Sequence, residues 1–298
     1  MMARIIDAHH HFWKTAAQDQ PWRSEAHAAL EHDFEPDALI PELDRAGVDA
    51  TVVMQSVDER PENDRLARYA MHERVAGIVA WLPIRDVNSA RTELDRLSIA
   101  KLCGVRCLVA DDPLEWLNNS QSIGLFREIA ARGLSWDVVP ITIEQTQQLI
   151  KLAQAVPELK IVIDHLGRPP LDTGGWEPWA THVKELARYP GVAMKISVGI
   201  DALTAWDSWN AHVLDPYVAH ACEHFGSGRL MIASNWPVIL LRTSYQQAWQ
   251  DLVALVTKHV RTIEGRADVF GRSAERWYRL RSPHISSGEV TTAAPESS

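Results

Sequence analysis

Residues 4–11, Arg-Ile-Ile-Asp-Ala-His-His-His, decide the fold. The apolar run over 4–8 stops abruptly in three histidines, which is how a strand buried on both faces reads when its carboxyl end opens onto a polar mouth. Seven more short runs of the same character follow, at 50–55, 76–82, 104–109, 134–139, 159–164, 192–195 and 230–233. Segments with helical spacing separate them: 36–46 closed by Gly47, 63–74, 88–97, 120–131 closed by Gly133, 143–155 closed by Pro157, 176–188, 210–225 closed by Gly226, and 244–260. Strand and helix alternating in this way predict an α/β fold, a parallel (β/α)₈ TIM barrel in a single domain. A doubly wound open sheet is the competing class, but no Gly-x-Gly-x-x-Gly turn follows the first strand.

The barrel is expected to occupy residues 1–281, with a last helical stretch after Arg261 lying across it as a cap. Residues 282–298, rich in Ser, Thr, Pro and Ala, read as a flexible C-terminal tail. The net charge of -9 sets the surface against polyanions, so neither nucleic acid nor an anionic membrane is expected as a partner, and a small molecule is. No apolar run reaches the roughly 18 residues of a membrane span, and the N-terminus meets charges and histidines too early for a signal peptide, so the protein is expected in the cytoplasm. Cys103, Cys107 and Cys222 lack the spacing of a metal finger and read as reduced thiols. Several tryptophans lie beside turn residues, Trp22, Trp176 and Trp236 among them, where they suit either ordinary packing or the wall of a pocket for a ring-shaped ligand. The outer helices leave association into a homo-oligomer open.

In a parallel barrel the residues just past each strand converge on one mouth. His9 and His11, two apart on extended backbone, point the same way, as a pair that ligates a divalent metal or polarises a carbonyl would. His10 faces away and reads as structural. His165, after the sixth strand, brings a third imidazole. Arg106, after the fourth, offers a planar fork to a carboxylate or carbonyl oxygen, or else an ion pair to Asp111 or Asp112. Lys195 and Ser197 share one face of the seventh strand, for substrate oxygens or for an internal ion pair. Gln55, Trp81, Arg85, Trp136 and Asp137 stand at other strand ends as candidate substrate contacts.

Five short motifs occur in order at these strand ends: Asp-Ala-His-His-His-Phe-Trp at 7–13, Gly-Val-Arg at 104–106, Asp-His-Leu-Gly-Arg-Pro at 164–169, Lys-Ile-Ser at 195–197 and Ser-Asn-Trp-Pro-Val at 234–238. Together they resemble the amidohydrolase-2 branch of the amidohydrolase superfamily, and within it the sugar-lactone lactonases, from Ile6 to about Leu280. The resemblance implies a hydrolase that opens an aldonic acid lactone, such as L-fucono-, L-rhamnono- or L-galactonolactone. It implies His9, His11, His165 and position 235 as metal ligands, zinc being the expected divalent ion, although some relatives work without a metal. It also implies His11, His165 and position 235 as catalytic groups, with Arg106, Lys195, Gln55, Trp81 and Trp236 as the substrate-binding set.

Two positions depart from the pattern. Asn235 stands where the motif has aspartate, and an amide is no base and a poor metal ligand. Either the chain is an aspartate-to-asparagine variant, the reading favoured by the near-identical shape of the two side chains, or asparagine is native and the chemistry differs. Cys107 follows Gly-Val-Arg where relatives often carry histidine. Two alternatives remain: a dicarboxylic (pyrone- or muconate-type) lactone hydrolase or metal-dependent decarboxylase of the same branch, and a non-catalytic ligand-binding barrel.

Overall fold

The computed structural model describes residues 3–281; the tail read at 282–298 lies outside the described residues. Eight strands, β1 (Ile6–His10), β2 (Ala50–Met54), β3 (Val75–Trp81), β4 (Leu102–Arg106), β5 (Ser135–Val138), β6 (Lys160–Ile163), β7 (Val192–Ile196) and β8 (Leu230–Ile232), form one sheet in sequence order with every neighbouring pair parallel. Around them run α1 (Pro36–Ala46), α2 (Pro61–Tyr69), α3 (Val87–Arg96), α4 (Ser120–Ala131), α5 (Ile143–Ala155), α6 (Trp179–Leu186), α7 (Ile200–Ala205), α8 (Asp215–Phe225) and α9 (Tyr245–His259). This is the predicted (β/α)₈ barrel. The helix starts follow local chemistry: Pro36 sits at the first position of α1, and the Asp86, Thr142 and Ser244 side chains accept backbone N–H groups at the starts of α3, α5 and α9.

The period of two divides each strand between two cores. Val53, Ile78, Val105, Trp136, Ile161, Met194 and Ile232 pack outward beneath the helices. Ile6, Ala8, Val52, Met54, Val79, Cys103, Val162, Ala193 and Met231 fill the barrel itself. The amino end is plugged by the stretch after Arg261, the segment expected to lie across the barrel. It runs as α10 (Ile263–Ala267), a π-helical turn (Asp268–Arg272) and α11 (Ser273–Trp277), and sends Ala274, Trp277 and Tyr278 into the barrel core. Gly271 makes this docking possible, because a Cβ there would stand 1.8 Å from the carbonyl oxygen of Arg4.

Two irregularities aim the mouth. In β1 the register shifts between Asp7 and His10, so the strict alternation that buries Ile6 and Ala8 inside does not carry His10 inward after them. The bulge turns His9 and His11 into the barrel and leaves His10 outside, against Phe12 and Trp236. A second shift, between Ile78 and Val79 opposite β4, follows inward Cys103 with outward Val105 and brings Arg106 to the mouth.

Closure happens at the same end. β8 is three residues long, and the seam to β1 is made beyond it by Asn235 N–H donating to the His9 carbonyl (2.9 Å) and His11 N–H donating to the Trp236 carbonyl (2.7 Å). Asp7 fastens the seam from outside, accepting from the backbone N–H (2.9 Å) and hydroxyl (2.6 Å) of Ser234 and from the Tyr245 hydroxyl (3.3 Å).

Candidate active site

His11 lies at the mouth with Nδ1 3.1 Å from the Met54 carbonyl. A carbonyl only accepts, so Nδ1 carries the proton and Nε2 presents a lone pair. His9, fully buried beneath, has Nδ1 3.2 Å from Asp164 Oδ1 and Nε2 3.3 Å from Arg106 Nη1. A guanidinium only donates, so His9 Nε2 is an acceptor; Nδ1 stands 3.2 Å from both the Asp164 carboxylate and the Lys195 ammonium, and with Nε2 accepting it carries the proton, toward the carboxylate. The two ε nitrogens therefore point lone pairs at each other across 3.2 Å. Burial pushes both imidazoles well below the ordinary histidine range, and it brings His165 down to about 3, so all three are neutral near pH 7.

Asp164 is the acid of the group. Burial would raise its carboxyl, but Lys195, His9 and Arg106 outweigh that and hold it well below the usual range. Lys195 Nζ lies 2.9 Å from Asp164 Oδ1 and 2.7 Å from Asp137 Oδ2. Asp137 is braced in turn by the Ser135 hydroxyl (2.8 Å) and the Tyr278 hydroxyl. A chain of buried charge thus runs from the plug, through the barrel axis, to the back of His9. Arg106 takes its carboxylate from Asp164 at 3.4 Å; Asp112, the alternative partner, pairs with Arg85 instead.

His165 follows Asp164 directly. A strand would send the two to opposite faces, but left-handed backbone at His165 and Leu166 (φ 52° and 54°) turns the chain and brings both to the site. Its Nδ1 meets the Ser197 hydroxyl at 2.8 Å, and its ring centroid is 4.6 Å from that of His9. Asn235, also left-handed (φ 57°), donates Nδ2–H to the Val198 carbonyl at 2.8 Å, which leaves Oδ1 as the group it offers to the site.

Above these groups opens a cavity of about 310 Å³. His11, Gln55, Ser56, Arg106, His165, Arg168 and Asn235 supply its polar lining, Trp22, Val109, Ile141, Ile200 and Val238 much of its apolar wall, and among the described residues no carboxylate lines it. Gln55 Oε1 is buried with no partner among the described residues, while its Nε2 is spent on Asp58. Cys107 lines the cavity as a buried thiol pushed up to about 12 by burial, so it is neither nucleophile nor ligand in this state.

The sequence-predicted residues divide accordingly. Arg106, Gln55, His11, His165 and Asn235 reach the cavity, and His9 sits directly beneath it. Lys195, expected either at substrate oxygens or in an internal ion pair and counted among the substrate contacts, is fully buried below the cavity floor and bonded to two carboxylates. Trp81 and Trp236 do not line the cavity: Trp81 lies beside Asn63, which holds its backbone at both ends, and Trp236 packs among His10, Phe12 and Phe34. Arg85, Trp136 and Asp137 also lie outside the lining, Trp136 because it faces outward against Phe126. Asp164 was passed over in the sequence, although a carboxylate immediately before a strand-end histidine was the available signal.

These residues fit a divalent metal. Two nitrogen ligands about 2.0–2.1 Å from one tetrahedral ion stand about 3.4 Å apart, close to the 3.2 Å between the facing lone pairs of His9 and His11. Ligand atoms of His9, Asp164 and His165 all lie within 4.8 Å of one another, and Asp164 behind His9 is the carboxylate partner that orients a ligating imidazole.

Comparison with known proteins bears on the whole barrel. The amidohydrolase family profile matches residues 6–280. An L-fucono-1,5-lactonase of Burkholderia ambifaria is 33% identical over 93% of this chain and 96% of its own length. An L-fucono-1,5-lactonase of Burkholderia multivorans is 28% identical over 95% and 98%. Among solved structures, an amidohydrolase from Burkholderia multivorans with bound zinc superposes with a TM-score of 0.82 at 27% identity, covering 94% of this chain and all of that one.

Proposed function

Because the chain belongs to the amidohydrolase family, we propose that it is a cytoplasmic lactonase that opens a sugar (aldonic acid) lactone, of the L-fucono-, L-rhamnono- or L-galactonolactone type, to the free acid. The observation that carries the reading is the cavity itself, where neutral imidazoles, two guanidiniums and two amides meet around room for one small ring. Full-length relatives named as L-fucono-1,5-lactonases support it. The buried, unpartnered Gln55 Oε1 suits a substrate hydroxyl, and the wall of Trp22, Val109, Ile141, Ile200 and Val238 suits the apolar face or terminal methyl of a deoxysugar ring.

The chemistry follows from the protonation states. Water, accepted as a donor by Asn235 Oδ1, adds to the lactone carbonyl and gives its proton to an imidazole, His165 or His11. Arg106 steadies the carbonyl oxygen as it becomes an oxyanion. The ring C–O bond then breaks, and the departing alkoxide takes the proton back from the imidazolium, leaving acid and hydroxyl. Asp164, held ionised by Lys195 and Arg106, fixes the tautomer and orientation of His9 beneath. A divalent metal, zinc being the expected ion, would be held by His9 and His11 beside Asn235 or Asp164, which would leave His165 as the proton acceptor, and would supply Lewis acidity toward the carbonyl and a more acidic water.

One observation favours a second reading. Arg168 also lines the cavity, with its Nε buried and without a partner among the described residues while a terminal nitrogen holds Asp201 at 2.8 Å. Two arginines and no acid in the lining suit a carboxylate-bearing lactone or aromatic acid. A panel of neutral aldonolactones against carboxylated lactones, read by acid release, separates the two: faster turnover of the neutral set is expected, and turnover confined to the charged set overturns the sugar-lactone reading.

A further inference from the structure

The outer wall of the barrel carries a second cluster of ligating side chains, separate from the cavity. Within α8 the sequence reads His220-Ala221-Cys222-Glu223-His224, and the spacings of three and four residues put His220, Glu223 and His224 on one helical face. One ligand atom from each lies within 4.8 Å of the other two. None of the three lines the active-site cavity.

His220 is already set up as a ligand. Its Nε2 is 2.9 Å from the Ala180 carbonyl in α6, so Nε2 carries the proton and Nδ1 the lone pair. Donation of the second ring nitrogen to a backbone carbonyl is what orients metal-binding imidazoles generally. Trp176 and Trp179 wall the same ring, with centroids at 5.1 and 5.4 Å, which limits its rotation. His224 stacks edge-on at 4.3 Å and forms no side-chain hydrogen bond among the described residues. Glu223 is exposed and able to swing toward the pair. A solvated histidine pair would need neither the fixed tautomer nor the aromatic wall.

We propose that His220, Glu223 and His224 form a second metal site, taking a borderline divalent ion such as zinc through two imidazoles and one carboxylate, with water completing the shell. Imidazole donors favour zinc, nickel or copper over magnesium and calcium, which prefer oxygen. Because His220 is tied to α6, an ion bound on α8 stabilises the packing of these two helices by mass action.

The test is calorimetric titration of the metal-stripped full chain with Zn²⁺ alone, comparing the unaltered protein with His224→Ala and Glu223→Gln. The expected result is one equivalent lost, or weakened by at least about tenfold, in His224→Ala, a smaller weakening in Glu223→Gln, and lactone turnover unchanged in both. His9→Ala with His11→Ala should retain this equivalent, which separates it from any ion in the barrel. Equal stoichiometry and affinity for Zn²⁺ in the unaltered chain and His224→Ala overturns the proposal, as does binding that Mg²⁺ competes away at equal concentration.

Discussion

Replacing Lys195 with methionine tests the buried charge chain. The substitution keeps the side-chain length and removes the cation that lies 2.7 Å from Asp137 and 2.9 Å from Asp164, in a setting where all three side chains are fully buried. Asp164 retains Arg106, at 3.4 Å. Among the described residues Asp137 then retains neutral hydroxyls alone, from Ser135 and Tyr278. Breaking a buried pair from one side costs about 3–5 kcal/mol because a charge is left uncompensated. For a chain of this size each kcal/mol moves Tm by about 2 °C, so Tm should fall by about 6–10 °C. Adding Asp137→Asn removes the stranded charge and should recover part of the loss, giving a coupling of about 1–3 kcal/mol in a double-mutant cycle. Urea unfolding followed by tryptophan fluorescence measures each corner. A loss under about 1 kcal/mol in Lys195→Met, or strict additivity in the cycle, refutes the reasoning. A rise in KM with stability unchanged would return Lys195 to the substrate-binding role that its strand position suggested.

Four further outcomes follow from the same geometry. Asn235→Asp is expected to raise lactone turnover at least about tenfold by adding a base, while costing about 1–3 kcal/mol because the Val198 carbonyl loses its donor; equal turnover in both forms would leave the base role with an imidazole. Arg106→Lys should lower kcat by about 10²–10³ with a smaller effect on KM, since a point charge cannot replace the planar fork at the oxyanion, and steady-state kinetics reads the split. Dialysis against a chelator should lower turnover at least about tenfold and zinc should restore it; full turnover in protein shown metal-free by elemental analysis would assign carbonyl polarisation to Arg106. Gly271→Ala drives a methyl against the Arg4 carbonyl and should cost at the upper end of about 1–3 kcal/mol, seen as a lower Tm with KM unchanged.

Much of the barrel was legible because its signals are local. An apolar run bounded by turn residues reads the same wherever it lies, and the bounds of α1, α4 and α5 coincide with the predicted segments. The short α7 and the 3₁₀ turn at Glu25–Leu30 went unread, since one or two turns of helix give too little periodicity to see. Bulges are less legible still. Alternation carried forward from Ile6 and Ala8 would have sent His10 inward, and only the register shift, a property of pairing with β2, delivers His9 and His11. The depth of a side chain along the barrel axis is equally invisible: Lys195 and Ser197 share a face, yet Ser197 meets a cavity residue while Lys195 is sealed below.

Position 235 shows where fold and chemistry part. Its N–H closes the barrel on the His9 carbonyl, its φ is left-handed, and its side chain reaches the cavity, so the residue serves seam and site together. Left-handed backbone is costly for most side chains and is best tolerated by glycine, asparagine and aspartate. The seam therefore narrows the choice to a very short set before any chemistry is asked of it, and within that set only aspartate is a base. Exchange between Asn and Asp leaves the backbone demand satisfied, but the amide donates to Val198 where a carboxylate would face the same carbonyl with an unwelcome lone pair. The near-identical shape of the two side chains, which made a simple aspartate-to-asparagine change attractive from sequence, thus hides an opposite hydrogen-bonding sense. A carboxylate at 235 needs a positive charge close by to offset that opposition, and Arg106 and Arg168 share the cavity lining with it, so the exchange gains a base while losing one bond.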